Sequence, residues 1–372
     1  MNKFVFVALG LVLIVATMAR AEPQEPSKYK TMSEALVALS QASDESSKQK
    51  VYFEMSLLPL ETPDQLVALH KEIMKLEKGT LAPKMDQSVM ETRVLSRVFL
   101  TAQDPKFAPA LSATLDEEYK SIPGYFVGLF KSKEEIDSAG FEMREARLEA
   151  LTQIIGETKN RGSLPTLRKM VDLKGPARIY AIRAIGRIGD PADLEDFVRR
   201  IKQDPKTPFD LSSFGPMAVG RVVIEIDDPT MPDAAKGSII GSLRYMGTRE
   251  NISTFRQLLH HKYGNVQEMA AEAICSAAGK DDGDVLIEVI KSKWGTSRIL
   301  AARAMGKQWD GRFIPVLRNI LLHDSSPIVR AVTSQVLADH NVKEAVGDFK
   351  KNLNDRNGEV RRAAEKALNQ LH

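Results

Sequence analysis

A period of about 31 residues runs through the C-terminal two-thirds of this chain, and it restricts the fold more than any other feature. Segments opening on Arg144, Arg178, Lys236, Gln267, Arg298, Arg330 and Arg361 follow one another at steps of 34, 58, 31, 31, 32 and 31 residues. One residue before each anchor, and six and seven after it, stand small or apolar residues: Met143, Ala150 and Leu151 in the first segment, Val360, Ala367 and Leu368 in the last. Together with the position three after the anchor, these offsets lie on one stripe of a helix. A small residue six after the anchor lets a neighbouring helix come close. Gly156, Gly186, Gly247, Gly279 and Gly306 come next, and each is expected to close its helix in the left-handed C-cap conformation. A second apolar-striped helix follows, for example Leu194, Phe197 and Ile201, or Ile314, Leu317 and Leu321. A pair of helices this short cannot bury both apolar faces alone, so the units must stack.

A second signal accompanies the period. Asp172 precedes Arg178 by six residues, Asp324 precedes Arg330 by six, and Asp355 precedes Arg361 by six. An Asp in the turn before a helix accepts backbone N–H bonds and favours the positive helix end. The Arg in the first helical turn is placed to reach the Asp of an adjacent unit, which makes an ion ladder along the stack. The pattern resembles the HEAT repeat, in the short form of the phycobilin lyases, over about residues 140–372. The fold expected is all-α, a right-handed α-solenoid of stacked antiparallel helix pairs. At Gln267 and Arg298 the position six before is His261 or Ser292, so the ladder is predicted to break at both.

The organisation expected is a signal peptide over 1–21, a linker over 22–28, a helical region over 29–140, and the repeats over 141–372 with an insert near 202–232. Phe4–Val15 is an almost unbroken apolar run behind Lys3, and Ala19-Arg20-Ala21 offers small residues for cleavage. Twelve residues are short for a membrane span. The expected product is therefore exported, periplasmic or secreted, and not inserted in a membrane. Within 29–140, Thr62-Pro63-Asp64 predicts a helix start, with other helices at 33–40, 48–58, 85–100 and 105–115. These read as diverged repeats capping the solenoid, or as a separate helical domain. Residues 122–130 are unusually apolar, a contact patch or a segment buried under the first repeat. In the insert, Met217–Ile226 predicts an extra helix between proline-rich loops, or a decayed repeat.

Composition narrows the function. The formal charge is +3, and loss of Lys3 and Arg20 leaves it near +1, which offers no footprint for nucleic acid. One cysteine excludes a disulfide framework. Phosphate-loop, dinucleotide, Gly-x-Ser-x-Gly and His-Glu-x-x-His motifs are absent. Among HEAT-type proteins, deoxyhypusine hydroxylase uses paired His-Glu motifs, and this chain has no His-Glu dipeptide. A phycobilin lyase acts inside cells, which a secretory signal contradicts. Histidines are expected in exposed turns, and a metal set of His261, His323 and Asp324 is the weaker reading. Cys275 is expected in the core. Asn251-Ile252-Ser253 is a glycosylation sequon.

The reading that remains is a non-catalytic scaffold that needs no cofactor or metal and binds another protein. The alternative is an enzyme, or a regulatory subunit of one, with its site in the N-terminal helices or the insert. A third reading is a binder of a surface polymer or of a membrane surface. In HEAT repeats the helix carrying the anchor lines the concave face, and positions five and nine after the anchor are predicted to face solvent there. Those columns hold two basic pairs, Arg183 with Arg187 and Arg303 with Lys307, and Tyr245 between them. Arg and Tyr are common binding anchors, so an acidic segment lying along this groove, centred on Tyr245, is the partner expected.

Overall fold

The computed structural model describes residues 27–78, 92–126, 139–173, 175–204 and 210–371. Among them the chain is all-α, with helices joined by short turns and no strand, and it is built as an α-solenoid. Residues 1–21, where a signal peptide is expected, and most of the expected linker over 22–28 lie outside the described residues. No helix among the described residues is long and apolar enough to cross a membrane. The chain divides into two compact units, Met1–Tyr180 and Ala181–His372.

The first unit contains α1 (Met32–Gln41), α2 (Glu45–Ser56), α3 (Pro63–Lys78), α4 (Ala108–Phe126), α5 (Ala139–Glu157) and α6 (Leu164–Met170). Side-chain caps start the early helices. Thr31 accepts from the Glu34 amide at 3.2 Å, and Asp44 accepts from the Ser47 amide at 2.9 Å. At α3 the predicted Thr62 start is a reciprocal capping box: Thr62 Oγ1 accepts from the Gln65 amide at 3.4 Å, and Gln65 Oε1 accepts from the Thr62 amide at 3.1 Å. The helix predicted at 85–100 lies outside the described residues over 85–91, and the rest shows helix over 92–96 and a 3₁₀ turn over Arg97–Thr101. α1 packs on α2 and α3, and α4 lies between α3 and α5. The apolar segment 122–130 enters α4 as far as Phe126, and its remainder lies outside the described residues.

The second unit begins inside α7 (Pro176–Ile188) and continues through α8 (Pro191–Gln203), α9 (Pro216–Asp227), α10 (Asp233–Ser242), α11 (Ile252–Leu258), α12 (Gly264–Ala277) and α13 (Gly283–Val289). It ends with α14 (Gly295–Lys307), α15 (Phe313–His323), α16 (Pro327–Asp339), α17 (Val346–Asn352) and α18 (Gly358–Leu371). α10, α12, α14, α16 and α18 pack side by side in one row, and α13, α15 and α17 form a second row against it. The predicted stripe is the buried face of the first row. Of its four columns, every residue whose side chain is described is buried except Leu368, which is half-buried. The insert contributes α9 as the extra helix.

The glycines behave differently from expectation. Gly186 and Gly306 lie inside their helices, and the left-handed cap after α7 is Gly189, with φ of 75°. A Cβ at Gly186 would overlap Ser213, one at Gly247 would overlap the Ala273 carbonyl, and one at Gly306 would meet Val336 at 3.1 Å. These positions are small because a neighbouring element crosses there. The helix ends do not require them.

The ladder joins consecutive units. Arg298 clasps Asp324 with two parallel bonds, Nε to Oδ2 at 2.7 Å and Nη2 to Oδ1 at 2.8 Å. Arg330 clasps Asp355 in the same way at 3.0 and 2.9 Å. In each case the remaining nitrogen returns to the carbonyl six residues back: Arg298 to Ser292, Arg330 to Asp324, and Arg361 to Asp355. Each Asp also fixes the turn into the following helix, Asp324 accepting from the Ser326 amide and Asp355 from the Asn357 amide, both at 2.8 Å. The break predicted at Arg298 is therefore corrected. An Arg pairs with the Asp of the following unit, so Arg298 needs Asp324 and not an Asp at 292. Rungs are missing where the following unit offers no Asp, between Lys236 and His261 and between Gln267 and Ser292. Gln267 keeps only the backbone bond, to the His261 carbonyl at 2.7 Å. Asp172 and Arg178 stand at the corresponding positions before and within α7.

Two outcomes follow from the ladder. The double substitution Q267R/S292D supplies the second of these rungs, because position 292 already accepts from the Trp294 amide through the Ser292 hydroxyl at 3.2 Å. It should gain about 1 kcal/mol or less, read as a rise of about 2–4 °C in melting temperature, while each single change gains less. Against a burial that would raise it, Arg330 and the Asn357 amide hold the Asp355 carboxyl below its ordinary value. Its folded-state value is the lower one, so its contribution is complete above about pH 4–5 and is lost on further acidification. D355N should flatten the fall in melting temperature between about pH 5 and 3.

Candidate functional site

Arg303 and Lys307 lie one turn apart on the solvent face of α14, and both are exposed. Arg298, on the same helix, is neutralised by Asp324. Among the described residues neither Arg303 nor Lys307 makes a hydrogen bond or an ion pair. They form a ridge between two clefts. One, of about 350 Å³, opens between α12 and α14, floored by Leu300 and Ala304 and reached by Tyr245 and Ser276. The other, of about 400 Å³, opens between α14 and α16, floored by Val332 and Val336 and bordered by His340.

Both clefts have a defined edge. Tyr245, in a 3₁₀ turn after α10, is 70% exposed, and the Arg244 guanidinium lies 5.9 Å from its ring centroid. Arg244 itself is held by Met269 Sδ at 3.0 Å and by Glu272 at 3.4 Å. At the far edge His340 stacks parallel on Trp309 with centroids 4.0 Å apart, and its Nε2 lies 2.8 Å from the Gly306 carbonyl. Cys275 borders the first cleft, but burial, with Glu272 nearby, pushes its thiol up to about 12. At neutral pH it carries no thiolate and is no nucleophile.

Tyr245, Arg303 and Lys307 are thus brought together, with Arg303 and Lys307 rather than Tyr245 at the centre. Arg183 and Arg187 are exposed on α7, and neither is among the residues bordering the two clefts. The side chains weighed as metal ligands are engaged elsewhere: His261 lies 3.3 Å from Asp227, and Asp324 holds Arg298. Among the described residues no group of three or more His, Cys, Asp and Glu side chains is placed to hold a metal ion. Asn251 of the sequon is 8% exposed, accepts from the Thr248 amide and donates to the Met246 carbonyl at 2.9 Å. It serves the turn before α11.

One cluster lay hidden from the sequence. His70 on α3, Glu118 on α4 and Arg147 on α5 are 1%, 0% and 0% exposed. His70 Nε2 lies 2.8 Å from Glu118 Oε1, and Arg147 Nε donates to the same oxygen at 2.6 Å. Although burial would raise it, the His70 and Arg147 contacts hold the Glu118 carboxyl below its ordinary value. Arg147 occupies the column three after an anchor, where the later repeats carry Ala270, Ala301 and Ala364. His70 is therefore no exposed turn residue. Buried from solvent, the cluster ties three helices together. The insert is tied in a similar way: Lys202 bridges Glu225 at 2.7 Å and Asp228 at 2.9 Å, and Arg221 binds Glu195 at 2.8 Å and also Glu225. Removing one partner of a buried pair leaves the other charge uncompensated, so Arg147→Ala should cost about 3–5 kcal/mol in urea unfolding.

The HEAT repeats family profile matches residues 314–372. No curated protein sequence matches the chain. Similar solved structures include human deoxyhypusine hydroxylase in complex with glycerol, at 14% identity over 83% of this chain and 99% of that one, with a TM-score of 0.30. An engineered protein matches at 16% identity over 91% and 88%, with a TM-score of 0.29. The CpcE–CpcF complex of phycocyanin lyase from Nostoc sp. PCC7120 matches at 14% identity over 95% and 99%, with a TM-score of 0.26. Likeness at this level carries no functional argument.

Proposed function

We propose that the chain, whose residues 314–372 match the HEAT repeats profile, is an exported, non-catalytic scaffold of such repeats whose α14 ridge binds an acidic segment of another protein. The observation that carries this reading is the unneutralised pair Arg303 and Lys307, standing between two apolar-floored clefts. Several arginines of the second unit are committed to a neighbouring helix or its turn, among them Arg256, Arg298, Arg318 and Arg330. Two cations left free one turn apart suit paired carboxylates. Export rests on the apolar run and small residues of positions 1–21. The non-catalytic reading is supported by the buried, paired charges of the N-terminal cluster, by the pairing of the insert's charges with one another, and by the protonated Cys275 thiol.

The test is capture from the exported fraction by wild type and by R303E/K307E, with circular dichroism as the folding control. The double variant should lose the partner by tenfold or more, which is about 1.4 kcal/mol or greater. Wild-type capture should also weaken as salt rises. R183E is a separate arm and should have the smaller effect. Unchanged capture by the folded double variant overturns the reading.

A further inference from the structure

We infer that the partner segment is extended and carries two apolar side chains three residues apart with a carboxylate between them. This rests on the reading just proposed and specifies what the ridge and its clefts select.

The argument is one of spacing and floor chemistry. The two clefts lie on opposite sides of a single helix, one against α12 and the other against α14's next neighbour, α16. Packed helices sit about 8–10 Å apart, so the cleft floors are separated by about that distance. A polyproline-II segment has three residues per turn and rises about 3.1 Å per residue, so its side chains at i and i+3 share a face about 9 Å apart. A helix of 1.5 Å rise places i and i+4 only about 6 Å apart and does not span the ridge at that spacing.

The floors decide what enters. Leu300 with Ala304 on one side, and Val332 with Val336 on the other, present aliphatic surface at the base of each cleft. The rims are polar: Ser276 and Tyr245 on one side, Gln335 and Asp339 on the other. Gln335 donates to Asp339 at 2.6 Å, so that carboxylate is already bonded within its own helix. Between the floors the only charges left free by the fold are those of Arg303 and Lys307, among the described residues. An apolar–acid–apolar segment satisfies all three places at once. A purely acidic segment leaves both floors wet, and a purely apolar one leaves two cations unpaired beneath it.

The probes are three fluorescein-labelled peptides read by anisotropy against the full chain: Gly-Gly-Leu-Glu-Glu-Leu-Gly-Gly, its Ser-Glu-Glu-Ser counterpart, and its Leu-Gln-Gln-Leu counterpart. The first should bind at least tenfold more tightly than either of the others. S276W, which fills the first cleft from its rim, should remove the advantage of Leu over Ser without abolishing binding of the Ser peptide. R303E/K307E should abolish binding of both acidic peptides. Equal binding of the Leu and Ser acidic peptides overturns the spacing inference and leaves the acidic-segment reading standing. Absence of binding by both acidic peptides at millimolar concentration overturns both. Sedimentation velocity covers the other occupant: self-association abolished by R303E/K307E would assign the ridge to a second copy of the chain and overturn the inference.

Discussion

Every part of the second unit depends on how closely the helices of one row, α10, α12, α14, α16 and α18, called inner below, approach one another, with α13, α15 and α17 in the outer row against them. Ala270, Ala301 and Ala364 are fully buried in one column, and Ala273, Ala304 and Ala367 are buried in the next. Small side chains at these heights let backbone meet backbone, and the larger residues beside them fill the remaining space. Ile274, Met305 and Leu337 are completely removed from water, at about 1.5–3 kcal/mol each. No helix pair supplies both walls of that seam. Each borrows one wall from the next pair, so the core is continuous along the row.

Charge is arranged around this seam in two lines. In the turns leading into the inner helices, Arg298 and Arg330 tie consecutive pairs through Asp324 and Asp355. On the outer row, Arg256 reaches Glu288 at 2.7 Å, Arg312 reaches Asp284 at 2.9 Å and Arg318 reaches Asp348 at 2.6 Å. The inner rungs are mostly shielded from solvent and bidentate, and the outer ones are more exposed. Geometry therefore makes the inner line the more specific of the two. Arg303 and Lys307, on the exposed face of α14, belong to neither line.

The stacked fold, the buried stripe and the exposed groove columns were legible because periodicity reports which face of a helix is covered. The partner of each ladder Arg was legible only in part. Sequence places Asp six residues before Arg, but the contact runs forward to the next unit, and the chain's return path sets that choice. The glycines misled because a crossing neighbour and a left-handed cap both select for a missing Cβ. His70, Glu118 and Arg147 were out of reach, since residues 48 and 29 positions apart carry no local pattern. The grouping of Tyr245 with Arg303 and Lys307, without Arg183 and Arg187, depends on which helices are neighbours in the row.

The two rungs also say how this architecture tolerates changes of length. Arg298 and Asp324 are 26 residues apart, Arg330 and Asp355 are 25, and the bonds they make are nearly the same. A one-residue deletion has been absorbed without disturbing the clasp. The slack lies in the outer helix and its turns, where α17 is only seven residues long and is preceded by a 3₁₀ turn, whereas α15 has eleven. Insertions and deletions in such a chain should accumulate on the outer row, leaving the register of the inner helices, and the groove they line, unchanged over much wider sequence drift.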